Sequence, residues 1–226
     1  MKSDGQYQLV FGDSSNMDII RNGEVDLVLT SPPYFSSETE ALLKEPIKQQ
    51  NQIDRVRKEI TSFAYGIRPV YEEIDRVLKV DGILVIQIKD IHYANVLISL
   101  ASCHREMVES LGYNLVSRVF WHKMSHRSPS HKFLKKRTVG SFRTDQVEEI
   151  YIFSKAEIME RKGTSIQLDE EEIQKCGSPY WNMAPAGKNR IHPDQSPKAL
   201  IRRNIALFTE PGDLVVDPFA GSGLTL

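Results

Sequence analysis

Short apolar runs alternate with amphipathic stretches along the whole chain, and no internal repeat is visible. Runs of Val, Ile and Leu that are bounded by turn residues are typical of buried parallel strands. Strands are therefore predicted over residues 7–11, 25–29, 83–88, 114–121, 149–153 and 214–216.

Segments between these runs place apolar residues at helical spacing. The first begins at Ile67 and stops at the turn residues Asp81 and Gly82, with the apolar face Val70, Tyr71, Ile74, Val77 and Leu78. The second is closed by Gly112 and has the apolar face Leu97, Leu100, Ala101, His104, Met107, Val108 and Leu111. The third has Ser196 as its predicted N-cap and Pro197 at its first position, followed by the apolar face Ile201, Ile205 and Phe208.

Strands that alternate with helices indicate an α/β domain with a mainly parallel sheet and helices on both faces. The length of 226 residues fits a single domain spanning 1–226. Residues 35–62, 124–144 and 155–189 are polar or interrupted by Gly and Pro, and they exceed the usual connection of ~4–6 residues. Long insertions are commonly functional, so we expect these segments to contact the substrate.

The composition, 40% hydrophobic and 26% charged, is typical of a soluble globular protein. No apolar stretch approaches the ~20 residues that span a bilayer, and the first residues lack the apolar core of a signal peptide. The cysteines, Cys103 and Cys176, are too few for a disulfide framework. We expect a cytoplasmic protein that does not bind membranes.

The net charge of −1 hides a basic segment between Ser110 and Thr144 that contains no Asp or Glu. Its positive residues are Arg118, Lys123, Arg127, Lys132, Lys135, Lys136, Arg137 and Arg143. This segment can dock a polyanion, or it can be a solvated loop balanced by acidic stretches elsewhere. No Cys or carboxylate cluster accompanies the histidines of this segment, so we expect no metal site; they are His122, His126 and His131.

Thr30-Ser31-Pro32-Pro33-Tyr34 follows the predicted strand 25–29 directly. Two prolines hold the backbone rigidly at the carboxyl end of a strand, where ligands bind in open α/β folds. The motif is either part of a site or only a rigid turn with an anchoring tyrosine.

The segment 217–223, Asp-Pro-Phe-Ala-Gly-Ser-Gly, follows the strand 214–216. A glycine-rich turn lets the backbone approach a ligand closely, and Asp217 offers a carboxylate to an ammonium or hydroxyl. The segment lacks the Gly-Lys-Ser/Thr ending of a P-loop, which argues against triphosphate binding.

Together and in this order, the two motifs resemble the permuted (beta-class) DNA amino-methyltransferases, in which Ser/Asp-Pro-Pro-Tyr precedes the S-adenosylmethionine loop. Gly12 and Asp13 resemble the turn that contacts the cofactor adenine. Residues 191–200 are similar to the His-Pro-x-Gln-x-Pro block that closes over the cofactor, and 121–123 and 148–155 are similar to weaker blocks. The resemblance covers nearly the whole chain.

The resemblance implies a Rossmann-like methyltransferase that uses S-adenosylmethionine and acts on double-stranded DNA. The catalytic residues it implies are Ser31, Pro32, Pro33 and Tyr34. The cofactor-binding residues it implies are Asp13, His192, Pro193, Ser196, Lys198, Asp217, Pro218, Phe219, Ala220, Gly221, Ser222 and Gly223. The expected DNA contacts are Lys123, Arg127, Lys132, Lys135, Lys136, Arg137 and Arg143.

The exocyclic amino group of a base is conjugated with its ring and is a poor nucleophile. Hydrogen-bond acceptors must therefore bind its N–H groups and rehybridise the nitrogen towards the methyl group. Ser31 Oγ and the Pro32 carbonyl are suitable acceptors, and Tyr34 can stack on a flipped base. In the family, serine here is the more usual choice for cytosine N4, with adenine N6 as the alternative. Two other hypotheses stay open. In one, the methyl acceptor is RNA or a protein glutamine amide; in the other, the protein binds DNA without turnover.

In the family, the glycine loop leads to a strand whose acidic end binds the cofactor ribose, whereas this sequence stops at Leu226. That strand belongs between those ending at Asp217 and Asp13. We expect that a further segment or another chain completes the sheet. A homodimer is a separate expectation. Elsewhere, Trp181 and Tyr180 are candidates for a pocket or for core packing, and His104 for a packed, hydrogen-bonded histidine.

Overall fold

A computed structural model describes residues 7–44, 51–93, 96–124, 146–156, 166, 168–187, 195–221 and 223. The strands are β1 (Val25–Thr30), β2 (Leu78–Ile88), β3 (Ile91–Tyr93), β4 (Val96–Ile98), β5 (Asn114–Lys123), β6 (Val147–Ser154), β7 (Tyr180–Met183) and β8 (Val215–Val216). The helices are α1 (Ser37–Lys44), α2 (Asn51–Gly66), α3 (Arg68–Val77), α4 (Leu100–Glu109), α5 (Glu170–Cys176) and α6 (Lys198–Phe208).

The main sheet has six strands in the order β7-β5-β6-β2-β1-β8, and β3 and β4 form a separate antiparallel pair. β1 is parallel to β2 and β8, and β5 is parallel to β7. β6 is antiparallel to both of its neighbours, β2 and β5. The mainly parallel sheet is therefore confirmed. The carboxyl ends of its parallel strands and the start of β6 meet along one side, which we call the carboxyl edge.

Side chains of each strand alternate between the two faces of this sheet. One face buries Val28, Ile86 and Phe153 against α2, α3 and α4. The opposite face buries Leu27 and Val85 together with the underside of α6. The predicted arrangement of helices on both faces of the sheet is thus confirmed.

Residues 35–62 are not a polar insertion, because they contain α1 and most of α2. Ile53, Val56, Ile60 and Ala64 of α2 are buried in the core. These residues follow the i, i+3, i+7, i+11 spacing of a narrow apolar stripe, while charged residues cover the rest of the helix. The expectation of an insertion was wrong because it weighed mean polarity above this periodicity.

Residues 7–11 were predicted to form a strand, and this prediction is wrong. Tyr7, Leu9, Val10 and Phe11 are exposed, and Phe11 is 92% exposed. No sheet among the described residues includes this segment. An apolar run becomes a strand only where a neighbouring strand supplies hydrogen bonds to its backbone. Among the described residues, β8 at the edge of the sheet pairs with β1 and not with residues 7–11.

Two further segments differ from the predictions. Leu97 lies half-exposed in β4, so the second predicted helix begins only at Leu100. The segment 155–189, expected to be an insertion, contains α5 and β7, and β7 extends the main sheet beyond β5. A strand of four residues is too short to stand out from its polar surroundings in the sequence.

The start of α6 also differs from the prediction. Pro197 is the N-cap residue and makes no side-chain cap, and the helix begins at Lys198. Ser196 therefore does not cap the helix, and its hydroxyl donates instead to the side chain of Gln87 in β2.

Asp81 and Gly82 lie within β2 rather than in a turn that precedes it. Val25 pairs with Leu78 whereas Leu27 pairs with Ile83, so the residues between Leu78 and Ile83 bulge out of the ladder. The turn-forming residues thus mark an irregularity inside the strand. Among the helices of the described residues, none is long and apolar enough to cross a bilayer.

Candidate active site

The two sequence motifs meet at the carboxyl edge of the sheet. Ser31 follows the last residue of β1, and Asp217 follows the last residue of the neighbouring strand β8. Thr30 Oγ1 donates a hydrogen bond to Asp217 Oδ1 at 2.7 Å, although the two residues are 187 positions apart in the chain. The structure therefore brings together the predicted catalytic motif and the predicted cofactor loop.

The loop after β8 is a tight turn whose backbone is organised by Asp217. Its Oδ1 also accepts a hydrogen bond from the Phe219 backbone N–H at 3.1 Å. Gly221 and Gly223 have φ angles of 51° and 71°, in the left-handed region that favours glycine. The Gly223 N–H donates to the Ala220 carbonyl at 2.8 Å. This turn exposes backbone without side chains next to a carboxylate.

The segment around Asp13 packs against this loop. Ser14 Oγ donates a hydrogen bond to the Pro218 carbonyl at 2.6 Å. Asp13 Oδ1 accepts from the Ser15 backbone N–H at 2.9 Å, and this bond lowers the pKa of the Asp13 carboxyl. Asp13 thus stands beside the glycine loop, as a shared cofactor site requires.

Arg76 and Glu73 of α3 hold the chain that follows Asp13. The Arg76 guanidinium donates to the Met17 and Ile20 carbonyls at 3.1 and 3.0 Å. Glu73 Oε2 accepts from the Met17 N–H at 2.9 Å, and hydrogen bonds from Arg76 lower the pKa of Glu73 to about 2. Sequence reasoning missed this clamp, because a Glu and an Arg three residues apart on a helix are ordinary surface residues.

Tyr34 folds back over the end of β2 instead of projecting into solvent. Its ring is only 8% exposed and belongs to the core cluster on the face covered by α2. Lys89, the first residue after β2, places its Nζ 4.5 Å from the centre of this ring. A cation at this distance is attracted to the negative face of the ring. One face of the predicted base-stacking residue is thus occupied by Lys89.

A buried polar row crosses the sheet on the α6 side of the carboxyl edge. Ser196 Oγ donates to Gln87 Oε1 at 2.8 Å, and Gln87 Nε2 donates to Glu148 Oε2. Glu148 also forms an ion pair with Lys123. Sequence reasoning missed the contacts of Gln87 and Glu148, because a polar residue near either end of an apolar strand gives no sign of its partner.

Lys123, an expected DNA contact, is largely buried in this ion pair, and its Nζ also lies 5.1 Å from the Trp121 ring centre. Lys198 is exposed at the start of α6. The remaining predicted residues lie outside the part of the chain that the structure describes: they are His192, Pro193, Ser222, Arg127, Lys132, Lys135, Lys136, Arg137 and Arg143, and with them His126 and His131.

The two aromatic residues before segment 191–200, Tyr180 and Trp181, differ in burial. Trp181 is buried with Leu27 and Val85 in the core on the α6 side of the sheet, and the Arg203 guanidinium lies 5.0 Å from its ring centre. Tyr180 is 62% exposed and stacks on Phe120 at 5.7 Å. Trp181 is therefore a core residue.

His104 is fully buried on α4, and its Nδ1 forms a hydrogen bond of 2.7 Å with the Tyr71 hydroxyl. Burial lowers the pKa of His104 to about 4, so the ring is neutral at pH 7. The prediction of a packed, hydrogen-bonded histidine is confirmed. Within the described ranges, no group of three or more His, Cys, Asp or Glu side chains could hold a metal ion.

Comparison with known proteins identifies the family. A family model for N6 and N4 methyltransferases, described as DNA methylase, matches residues 25–226. The chain belongs to this DNA methylase family. The type II methyltransferase M.MjaI of Methanocaldococcus jannaschii is 28% identical over 250 residues, which cover 97% of this chain and 82% of that protein. The type II methyltransferase M.BglII of Bacillus subtilis is 27% identical, and the match covers 95% of this chain but 59% of M.BglII.

Solved structures of DNA methylases share the fold. A putative DNA modification methylase of Thermus thermophilus, solved with S-adenosyl-L-methionine, has a TM-score of 0.66 and 25% identity, over 95% of this chain and 80% of that one. The PvuII DNA methyltransferase, cytosine-N4-specific, also has a TM-score of 0.66, with 21% identity over 95% of this chain and 74% of that one.

This DNA methylase is therefore an S-adenosylmethionine-dependent DNA methyltransferase of the N4/N6 type. The carboxyl edge fits such a cofactor chemically. The Asp217 carboxylate can attract a ligand ammonium, and the left-handed glycines beside it let the backbone approach a ligand closely. The Asp13 turn, tied to the same loop, adds a second carboxylate for hydroxyl or amino donors.

Proposed function

We propose that this methylase transfers a methyl group to the N4 amino group of cytosine in double-stranded DNA. The observation that carries the proposal is the Thr30–Asp217 hydrogen bond, because it fixes Ser31 beside the cofactor loop. A serine at this position offers a neutral acceptor to the amino group, whereas an aspartate would offer a charge. The PvuII enzyme, which shares the fold, supports the choice of cytosine, since it is cytosine-N4-specific.

In this mechanism, the bound cofactor supplies an electrophilic methyl group. Ser31 Oγ and the Pro32 carbonyl accept hydrogen bonds from the two N–H groups of the amino group. These bonds orient the nitrogen lone pair towards the methyl carbon. Because serine carries no negative charge, the amino proton would be lost to solvent only after the nitrogen has gained the methyl group, whose bond to sulfur would break as its bond to nitrogen forms. Pro32 and Pro33 keep these acceptors in place, since their φ angles are fixed by the ring.

The amino nitrogen is inaccessible inside a duplex, so the base must leave the helix before it reacts. We propose that Tyr34 supplies a stacking surface for the flipped base. Since the Tyr34 ring is largely buried and Lys89 covers part of it, the ring or Lys89 shifts when the base enters.

The basic segment is the proposed docking surface for DNA. Lys132, Lys135, Lys136 and Arg137 would neutralise phosphates, which position the duplex without selecting its sequence. Arg127 and Arg143 would contact base edges, because a guanidinium can pair with guanine through two parallel hydrogen bonds. The two relatives that are type II methyltransferases support a restriction–modification setting.

The test is transfer of tritiated methyl groups from S-adenosylmethionine to duplex DNA, followed by digestion and separation of the nucleosides. We expect the label in N4-methylcytosine. Label in N6-methyladenine would contradict cytosine as the methyl acceptor and would indicate adenine instead. Label only in added RNA or protein would contradict DNA as the substrate, and DNA binding without any transfer would indicate a binding module.

A further inference from the structure

The buried polar row at the carboxyl edge connects side chains from four separate segments of the chain. Lys123 ends β5, Glu148 lies at the start of β6, Gln87 precedes the end of β2, and Ser196 precedes α6. Gln87 is 4% exposed and Glu148 is 2% exposed. Each contact in the row joins one segment to the next, so the row ties the chain ahead of α6 to the middle of the sheet.

The ion pair with Lys123 fixes the direction of every hydrogen bond in the row. A carboxylate paired with an ammonium can only accept, so the Gln87 side chain must turn its amide N–H towards Glu148. The Gln87 carbonyl oxygen then faces Ser196, and the Ser196 hydroxyl must be the donor. The Ser196 proton is thereby committed, and its oxygen has only lone pairs to offer to a bound ligand.

Apolar contacts alone do not fix this part of the chain. Leu200 is buried against the sheet, and Ile201 and Ile205 pack partly against the same cluster. These contacts hold the helix but are not directional, whereas a buried hydrogen bond has a defined length and angle. The row therefore sets where Ser196 stands relative to the carboxyl edge.

We propose that Gln87 is a positioning residue for cofactor binding, which acts by orienting the Ser196 hydroxyl as an acceptor. The inference rests on the proposed S-adenosylmethionine-dependent function and on the cofactor-binding role that the family resemblance implies for Ser196. In this proposal Gln87 acts through Ser196, which bonds to its amide oxygen, while its amide N–H bonds to Glu148.

The test measures the affinity of the full chain for S-adenosylhomocysteine by calorimetry, which requires neither DNA nor turnover. Gln87→Leu and Ser196→Ala should each weaken binding by ~5–10-fold, the value of one hydrogen bond. The double variant should bind no more weakly than the weaker single variant, because both changes break the same connection. Ser196→Thr keeps a hydroxyl and should bind within about twofold of the natural protein.

The matched control is Ser154→Ala. Ser154 is also buried and lies on the same strand as Glu148, but its Oγ donates to the Gly82 carbonyl at the opposite edge. This variant should be less stable to heat yet bind S-adenosylhomocysteine normally. If Gln87 has a purely structural role, Gln87→Leu should likewise be less stable to heat but bind S-adenosylhomocysteine normally.

Three results would overturn the proposal: normal affinity in Gln87→Leu, normal affinity in Ser196→Ala, or effects that multiply in the double variant. If Gln87→Leu does not fold, the comparison of Ser196→Ala with Ser196→Thr still decides the role of the hydroxyl, since equal affinities contradict it. A natural protein that fails to bind S-adenosylhomocysteine would instead contradict the cofactor site itself.

Discussion

Thr30 and Asp217 share a hydrogen bond of 2.7 Å that joins the ends of β1 and β8. Thr30 precedes Ser31 directly, and Asp217 organises the glycine turn through the Phe219 N–H. This contact therefore links the acceptor for the amino group to the loop for the cofactor. Thr30 is 3% exposed, so water cannot replace its hydroxyl without a local opening.

We expect Thr30→Val to weaken cofactor binding by ~10-fold or more. Valine has nearly the shape of threonine but cannot donate, so Asp217 loses a hydrogen bond, and bonds to charged groups contribute ~1.5–3 kcal/mol. Calorimetry with S-adenosylhomocysteine measures the effect. The matched control is Thr209→Val, because Thr209 is equally buried but donates to the Ile205 carbonyl at the end of α6. Equal affinity in the two variants would contradict the role of Thr30.

Ser31→Ala should lower the rate of methyl transfer by ~100-fold or more, because one preorganised acceptor for the reacting group is lost. The fold should persist, since Ser31 lies in a loop rather than in the core. Single-turnover transfer of tritiated methyl groups measures the rate, and binding of S-adenosylhomocysteine serves as the control. Natural turnover in a variant that still binds cofactor and DNA would remove Ser31 from the mechanism.

The site could be predicted from sequence better than its internal contacts. Two short motifs at strand ends indicate a shared edge, because parallel strands place their carboxyl ends together. That Thr30 meets Asp217 depends on the register of β1 against β8, which no local pattern contains. The partners of Gln87 likewise come from distant segments, so the buried row became visible only in three dimensions.

The errors in the fold prediction have a common physical origin. The stripe of α2 is complete in the sequence, but exposed Arg and Lys residues around it lower the mean hydropathy. Residues 7–11 present the opposite case, since their apolar run suits a strand but finds no partner among the described residues. Strand formation depends on neighbours that local sequence does not specify, whereas amphipathic helices form from local periodicity.

Tyr34 should tolerate Phe but not Ala. Tyr34→Phe keeps the ring that packs in the core and lies beside Lys89, so turnover should stay within about threefold. Tyr34→Ala should lose ~100-fold in turnover and also ~3–5 kcal/mol of stability, because it leaves a cavity in the core. Urea unfolding and single-turnover transfer separate the two effects. Full turnover in a folded Tyr34→Ala variant would contradict base stacking on this residue.

His104 should make the fold less stable as the pH falls from 7 to 5. Its pKa is about 4 in the folded protein and near 6.5 when unfolded, so the unfolded chain binds the proton first. Stability is therefore lost as pH falls through 6.5, by about 2 kcal/mol at pH 5, and the loss ends near pH 4. Urea unfolding measures this slope. His104→Gln can still bond to Tyr71 but does not titrate, so an equal slope in that variant would contradict the assignment.

The salt dependence of DNA binding tests the basic segment. Each phosphate that a protein neutralises contributes about −0.9 to the slope of log affinity against log salt on B-form DNA. If Lys132, Lys135, Lys136 and Arg137 contact phosphates, replacing all four by Ala should flatten the slope by up to about 3.6. Affinity should fall equally on different duplexes, because phosphate contacts carry no sequence information.

The control for this variant removes other positive charges from the surface. Arg21, Arg68 and Arg105 are exposed and each pairs with a glutamate nearby in the sequence. Their joint replacement by Ala lowers the net charge of the protein almost as much, but it should leave the salt slope unchanged, because counterions are released only where a cation meets a phosphate. Filter binding at several salt concentrations measures both slopes. Equal flattening in the two variants would mean that overall charge, and not the basic segment, governs the affinity for DNA. An unchanged slope in the quadruple variant would make the segment a solvated loop, and the search for the DNA surface would then turn to the exposed side of α2.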